Sequence, residues 1–114
     1  MRLMIVEDNA EMRRLLCSLV RKLSSDVFEC ADGTDALETY REHQPDWVLM
    51  DVEMPRKDGL TATREIRSAY PQARVVIVTD HGDQPTREAA TAAGASAFVM
   101  KTDLRALRQI LQPQ

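Results

Sequence analysis

The chain lacks long apolar runs, because its hydrophobic stretches are only about four residues long. A membrane-spanning helix needs about 20 consecutive apolar residues, so we expect no membrane contact. A secretory signal peptide is not expected either, since Glu7 interrupts the apolar run that follows Arg2. These absences predict a soluble, cytoplasmic protein.

Cysteine and basic clusters are also scarce. The two cysteines, Cys17 and Cys30, lack the C-x-x-C spacing of metal or redox sites and are predicted to be buried, reduced side chains. The net charge is -3 and no basic block is present, so we expect no direct nucleic-acid binding by this chain. At 114 residues, 44% of them hydrophobic, the sequence predicts a single domain with a core of its own and no output domain.

Five strand-like runs alternate with five helix-like segments along the whole sequence. Parallel strands require crossover connections, and apolar strands without alternation are typical of a sheet covered on both faces. We therefore predict an α/β fold of the flavodoxin-like (βα)5 type, with five parallel strands and helices on both faces. In a sheet of order 2-1-3-4-5, ligands bind beyond the carboxyl ends of the first and third strands.

Local signals set the expected helix limits. Asp32 is predicted to be the N-cap of the second helix, which carries Ala36, Leu37 and Tyr40. Pro85 fits the first turn of the fourth helix, and Gly94 fits its C-terminal left-handed position. Thr102 is predicted to cap the last helix, which Pro113 would end. The first helix is predicted to bury a face formed by Met12, Leu15, Leu16, Leu19, Val20 and Leu23, with Arg13, Arg14, Ser18, Arg21 and Lys22 opposite.

Polar side chains follow four of the apolar runs. Glu7 and Asp8 come directly after the first run and Asp51 directly after the third. Thr79 and Lys101 follow the fourth and fifth runs. Because the carboxyl ends of parallel strands share one edge of a sheet, we expect all five side chains to meet there.

The chemistry of this group points to a divalent cation and a phosphoryl group. Two carboxylates at ~4 Å repel by about 4 kcal/mol at an effective dielectric of about 20, so the cluster needs compensating positive charge. Oxygen ligands around an open site suit Mg²⁺, with Lys101 supplying a further charge. A carboxylate can also act as a nucleophile and form an acyl phosphate. Asp51 is the best candidate, because Glu7 and Asp8 form the metal-holding pair.

The whole chain, from Met1 to the last helix, resembles the receiver domain of two-component response regulators. The resemblance rests on five segments: Ile5-Val6-Glu7-Asp8-Asn9, Leu49 to Pro55, Asp58-Gly59, Val78-Thr79 and Val99-Met100-Lys101. It implies that Asp51 accepts phosphate from a sensor kinase's phosphohistidine or from a phosphotransfer protein. It further implies an output domain or target protein as a partner, and it allows a phosphorylation-dependent homodimer.

The resemblance also implies roles for single residues. Glu7, Asp8, Asp51 and the backbone carbonyl of Glu53 would hold Mg²⁺. Thr79 and Lys101 would bind the phosphoryl group and carry the switch. Phe98 matches the family's aromatic switch position, although core packing explains it equally well. Asp80 and His81, with Glu53, stand where family members tune the site. The domain would catalyse its own phosphorylation and dephosphorylation without being a classified enzyme.

Two departures from the family pattern stand out. Thr102 follows the lysine where proline in a cis peptide is usual, so we expect a trans bond. This variant, with the segment from Asp58 to Thr63, resembles receivers that precede a helix-turn-helix DNA-binding domain. Asp80 replaces the usual small residue after the switch threonine and adds a negative charge near the phosphoryl pocket.

Three other functions compete with the receiver interpretation. An aspartate-nucleophile phosphatase needs a second acid two residues after its nucleophile, but Asp8 is followed by Asn9 and Ala10. A flavodoxin-like cofactor binder needs a Gly- or Ser/Thr-rich phosphate loop, but the segment after the first strand is acidic. A receiver-like interaction module that works without phosphate remains the alternative, since Asp80 favours it while Asp51, Thr79 and Lys101 oppose it.

Overall fold

The structure is a computed structural model that describes residues 1–111. Its strands are β1 (Arg2–Val6), β2 (Asp26–Cys30), β3 (Trp47–Asp51), β4 (Val75–Thr79) and β5 (Ala97–Met100). Its helices are α1 (Ala10–Val20), α2 (Ala36–His43), α3 (Gly59–Ala69), α4 (Gln84–Ala93) and α5 (Arg105–Ile110). A short 3-10 helix, Gly33–Asp35, leads into α2.

The five strands form one parallel sheet in the order β2-β1-β3-β4-β5, which confirms the predicted fold. Helices α2, α3 and α4 cover one face, where Ile66 is fully buried. Helices α1 and α5 cover the other face, where Leu16 and Leu107 pack on the strands. Residues 75–79 of β4 are all buried, as expected for an interior strand covered on both faces. Within residues 1–111, none of the helices has the length and apolar composition of a membrane span.

Side-chain caps fix where most of the helices start. Asn9, Asp58 and Asp83 accept the backbone N–H three residues ahead at 2.8, 2.9 and 3.2 Å. Asp32 was predicted to cap α2 and this was wrong: it accepts the Thr34 N–H and so caps the 3-10 helix that precedes α2, whereas the residue before α2, Asp35, makes no side-chain capping bond. Pro85 lies in the first turn of α4, and Gly94 ends that helix with φ 98°; both predictions are confirmed. The two cysteines are buried and free, as predicted.

The start of α5 was predicted wrongly. Thr102 does not cap the helix, because α5 begins at Arg105 after Leu104, whose side chain makes no capping hydrogen bond. A tight turn precedes it, closed by the Asp103 N–H bound to the Met100 carbonyl. The peptide bond between Lys101 and Thr102 is trans, as expected. Pro113, the predicted end of the helix, lies outside the described residues, and α5 ends at Ile110.

The buried face of α1 also differs from the prediction. Leu15 is 45% exposed, whereas Leu16, Cys17 and Val20 are buried. Leu23 follows the end of the helix at Val20. The apolar spacing identified the helix but not the orientation of its buried face. Cys17 packs against the sheet in the place that the prediction gave to Leu15.

Candidate functional site

The carboxyl edge of the sheet forms a cleft of about 360 Å³. The ends of β1, β3 and β4 and the residue after β5 all open into it, because parallel strands end at the same edge. It is lined by Glu7, Asp8, Asn9, Met12, Asp51, Glu53, Thr79, Asp80, His81 and Lys101. The structure thus brings together every predicted site residue except Phe98.

Asp51 is held in place by the first turn of α3. The Gly59 N–H donates to the Val52 carbonyl at 2.8 Å, which folds the chain back just after β3. A Cβ atom on Gly59 would lie 1.7 Å from the Asp51 carbonyl oxygen, so no other residue fits this approach. The Asp51 residue is buried, with 6% of its surface exposed.

The end of β1 is fixed by α1. Asn9 donates its backbone N–H to Glu7 Oε2 at 3.1 Å while its side chain caps the helix. Arg13 donates to the Glu7 carbonyl at 2.8 Å and pairs with Glu29 at 3.3 Å. Arg13 was predicted to face solvent; this was wrong, because helical side chains point back toward the N-terminus and its long side chain reaches the end of β1. The position of Arg13, one helical turn after the N-cap Asn9, could have indicated this contact with the end of β1.

Lys101 joins the two buried carboxylates. Its Nζ lies 3.0 Å from Glu7 Oε1 and 3.1 Å from Asp51 Oδ1. Burial and the negative charge of Glu7 raise the pKa of Asp51 to about 7, although Lys101 acts in the opposite direction. Burial lowers the pKa of Lys101, but its close contacts with the two carboxylates outweigh this and raise that pKa above 10.5. The Lys101 ammonium therefore stays charged, but its single positive charge cannot balance the negative charges of both Glu7 and Asp51.

The donor set fits a divalent cation. Glu7, Asp8 and Asp51 each offer a carboxylate oxygen, and these atoms lie within 4.8 Å of one another. Glu7 Oε1 is buried and accepts no directed hydrogen bond from the described residues, since Lys101 approaches it as an ion-pair partner only. Asp8 is exposed at the mouth of the cleft. Hard oxygen donors of this kind, open to solvent on one side, suit Mg²⁺.

At the mouth of the cleft, a side-chain contact joins the loop that follows β3 to the loop that follows β4. His81 Nε2 lies 2.6 Å from Glu53 Oε1, and both side chains are exposed. The His81 backbone N–H also donates to Thr79 Oγ1 at 3.1 Å, so this residue contacts both loops. Asp80 is exposed and lines the cleft, as expected. Thr79 itself is 1% exposed.

Phe98 lies outside the cleft. It is half-buried on the face of the sheet covered by α4. The guanidinium of Arg87 lies 4.5 Å from the centre of its ring, and the Arg87 Nε donates to the Gly82 carbonyl at 3.0 Å. Sequence reasoning missed this cation–π contact, because the two residues are brought together only by the crossover from β4 to β5.

Comparison with known proteins identifies one family whose sequence model matches nearly the whole chain. The sequence model of the response regulator receiver domain matches residues 3–112. The chemotaxis protein CheY of Bacillus subtilis (strain 168) is 40% identical over 101 residues, covering 88% of this chain and 84% of that protein.

Two further relatives are regulators that do not carry the chemotaxis name. The transcriptional regulatory protein PdtaR of Mycobacterium tuberculosis is 39% identical over 88% of this chain but only 49% of its own length. The crystal structure of a LuxR-family two-component response regulator from Aurantimonas sp. SI85-9A1 superposes with a TM-score of 0.87 and 34% identity. That match covers 96% of this chain and 84% of the other.

Proposed function

Because this chain belongs to the response regulator receiver domain family, we propose that it is a switch in which a phosphoryl group is transferred to Asp51. The donor is the phosphohistidine of a sensor kinase or of a phosphotransfer protein. The observation that carries the proposal is the buried Asp51 carboxylate, 3.1 Å from the Lys101 ammonium at the base of an open acidic cleft.

The transfer needs a nucleophile and charge balance. A carboxylate oxygen of Asp51 attacks phosphorus, the new O–P bond forms as the N–P bond breaks, and the electron pair leaves with the donor's imidazole. Glu7, Asp8, Asp51 and the Glu53 backbone carbonyl would hold Mg²⁺, which when bound neutralises charge on the carboxylates and phosphoryl oxygens. Two observations support this role: the carboxylate oxygens lie close together, and Glu7 Oε1, although paired with the Lys101 ammonium, accepts no directed hydrogen bond from the described residues.

Lys101 and Thr79 complete the pocket. The Lys101 ammonium pairs with a phosphoryl oxygen after transfer, in place of part of its present contact with Asp51. The Thr79 hydroxyl, which now accepts the His81 N–H, turns to donate to another phosphoryl oxygen. Lys101 and Thr79 are tied together by the Lys101 N–H bound to the Thr79 carbonyl at 2.8 Å, so they respond together.

The signal leaves the site through Phe98. When Thr79 turns inward, space opens for the Phe98 ring, and its contact with Arg87 changes with it. The surface formed by α4, β5 and α5 then favours its active shape, a population shift that requires only a few kcal/mol. Asp80, His81 and Glu53 tune the rate at which the acyl phosphate forms and is hydrolysed, because they line the same cleft as Asp51 and their side chains are exposed to solvent there.

The surrounding pathway follows from the same proposal. The chain acts in the cytoplasm as a single receiver domain, with an output domain or a target protein that reads the α4–β5–α5 surface, and the activated form can pair as a homodimer. The CheY relative, most of whose length this chain matches, favours a separate target protein, whereas PdtaR, a transcriptional regulatory protein matched over only 49% of its length, favours an attached output domain. Receiver domains are not an enzyme class, so self-catalysed phosphorylation is the chemistry proposed. Interaction without phosphate is the second candidate, favoured by the extra charge of Asp80.

Mass spectrometry tests the proposal. Incubation with acetyl phosphate and Mg²⁺ should add one phosphoryl mass that hydroxylamine removes. Asp51→Asn should abolish the addition, whereas Asp103→Asn, an exposed aspartate outside the cleft, should leave it unchanged. An unchanged wild-type mass, under conditions that label another receiver domain, would refute phosphorylation and support the phosphate-independent module.

A further inference from the structure

We propose that Asp32 and Arg56 are positioning residues that hold the loop between β3 and α3, residues 52–58, in the shape required by the cation site. This inference rests on the proposed function, since it concerns how well the same site binds Mg²⁺. Neither side chain lines the acidic cleft.

Asp32 presents a buried carboxylate to this loop. Its side chain is 7% exposed although it stands in the connection after β2. Oδ1 accepts the Thr34 N–H at 2.9 Å and so caps the 3-10 helix. Oδ2 accepts a hydrogen bond from the Arg56 guanidinium. Both carboxylate oxygens are therefore used, one within its own segment and the other on the loop.

Arg56 adopts a backbone conformation that arginine rarely takes. Its φ is 68°, in the left-handed region that glycine and asparagine enter more readily. The side chain is 71% exposed, so its contact with Asp32 is not forced by burial. Removing the guanidinium would leave the buried Asp32 carboxylate without its cation, which is unfavourable. The ion pair forms in the left-handed conformation of Arg56 and therefore stabilises that conformation.

The same two segments also touch through their backbones. A Cβ on Gly33, next to Asp32, would lie 2.3 Å from the Lys57 carbonyl oxygen. On the far side, Lys57 Nζ lies 2.8 and 2.9 Å from the two carboxylate oxygens of Glu65 on α3. The loop is thus held from both sides just after Glu53, whose carbonyl is the proposed backbone ligand.

The consequence is preorganisation. A loop that already has its bound shape loses less conformational entropy when it binds a cation than a loop that samples several shapes. Mutation of residues that hold metal ligands in position without binding the metal typically lowers metal affinity by about 10- to 100-fold. Because Arg56 is three residues from Glu53, we expect an effect at the lower end of that range.

Calorimetric titration with Mg²⁺ tests the inference, using wild type, Arg56→Asn, Arg56→Lys and Arg41→Asn. Asparagine keeps the left-handed conformation accessible, and Arg41→Asn is the matched control, removing an exposed arginine and its pair with Glu38 on α2. Arg56→Asn should raise the Kd by about tenfold, Arg56→Lys should restore part of it, and Arg41→Asn should stay within twofold. Amide hydrogen exchange at positions 53, 54, 56 and 57 should also quicken in Arg56→Asn.

Two outcomes separate this inference from the proposed function. If wild type binds no Mg²⁺, the proposed cation site fails, and the inference fails with it. If wild type binds but Arg56→Asn binds equally well, only the positioning role is overturned. A second variant, Asp32→Asn, keeps the cap on Thr34, and its effect should not add to that of Arg56→Asn, because both remove one contact. Additive losses would show that the pair does not act as a unit.

Discussion

Replacing Asp51 with asparagine should change the pH dependence of stability in a direction set by its raised pKa. In the folded protein the pKa of Asp51 is raised from 3.8 to about 7 by burial and by Glu7. Between these pH values the folded state keeps a proton that the unfolded chain has lost. The free energy of unfolding therefore falls as pH rises from about 4 to about 7, and the loss is complete above that range.

The size of the effect follows from the same values. A difference of about three pH units corresponds to about 4 kcal/mol at pH 8, an upper limit because Lys101 would also lose one partner in the variant. Asp51→Asn should thus match wild type near pH 4 and be more stable than it at pH 8 without metal. Mg²⁺ should narrow this difference at pH 8, since it binds the ionised carboxylate of wild type and stabilises the folded state by mass action.

Urea unfolding in EDTA, followed by tryptophan fluorescence, measures this difference. Trp47 is the only tryptophan in the chain, and it lies at the opposite end of β3 from Asp51, with the Arg74 guanidinium 4.4 Å from its ring. It therefore reports unfolding rather than events in the cleft. If wild type and Asp51→Asn show the same change in stability between pH 4 and 8, Asp51 is not the group with the raised pKa.

Three other substitutions probe separate parts of the site. Asp8→Asn should stabilise the metal-free protein slightly and reduce the rise in melting temperature that millimolar Mg²⁺ produces; an undiminished rise would show that Asp8 is not a ligand. Thr79→Ala should still take up phosphate but lose the response at Phe98, and amide spectra with beryllofluoride that match wild type there would contradict the switch. Asp80→Ala should speed phosphorylation by acetyl phosphate by about tenfold at low salt and less at high salt, because one exposed negative charge is removed from the phosphoryl path. A rate within twofold of wild type would mean that Asp80 does not act on the site.

The sheet and the meeting of the strand ends could be predicted because each rests on local pattern plus one topological rule. Apolar runs followed at once by Glu7, Asp51, Thr79 and Lys101 indicated both the strands and the edge they share. Contacts between loops could not be predicted, because they depend on distances that sequence spacing does not contain. The pair between His81 and Glu53 belongs to this class.

The helix errors have the same physical origin. Apolar periodicity indicated α1 but did not say which leucine would face the sheet, so Leu15 was placed inside although it is exposed. Thr102 is a good capping residue by type, but the turn after β5 is closed by backbone hydrogen bonds and delays the helix by two residues. In both cases tertiary packing decided between options that local propensity left open.

The strand order also determines how the chain assembles and where it tolerates change. The strand that comes first in this sequence, β1, pairs with β2 on one side and with β3 on the other, and β3 begins at Trp47. The backbones of Arg2 and Asp46 are joined by a 2.7 Å hydrogen bond, so the N-terminal segment is fastened to the entry of β3. Pairings this distant in sequence slow folding, because a long loop must close before they form. Deleting β1 would remove an inner strand of the sheet, whereas β5 at the edge pairs with β4 alone.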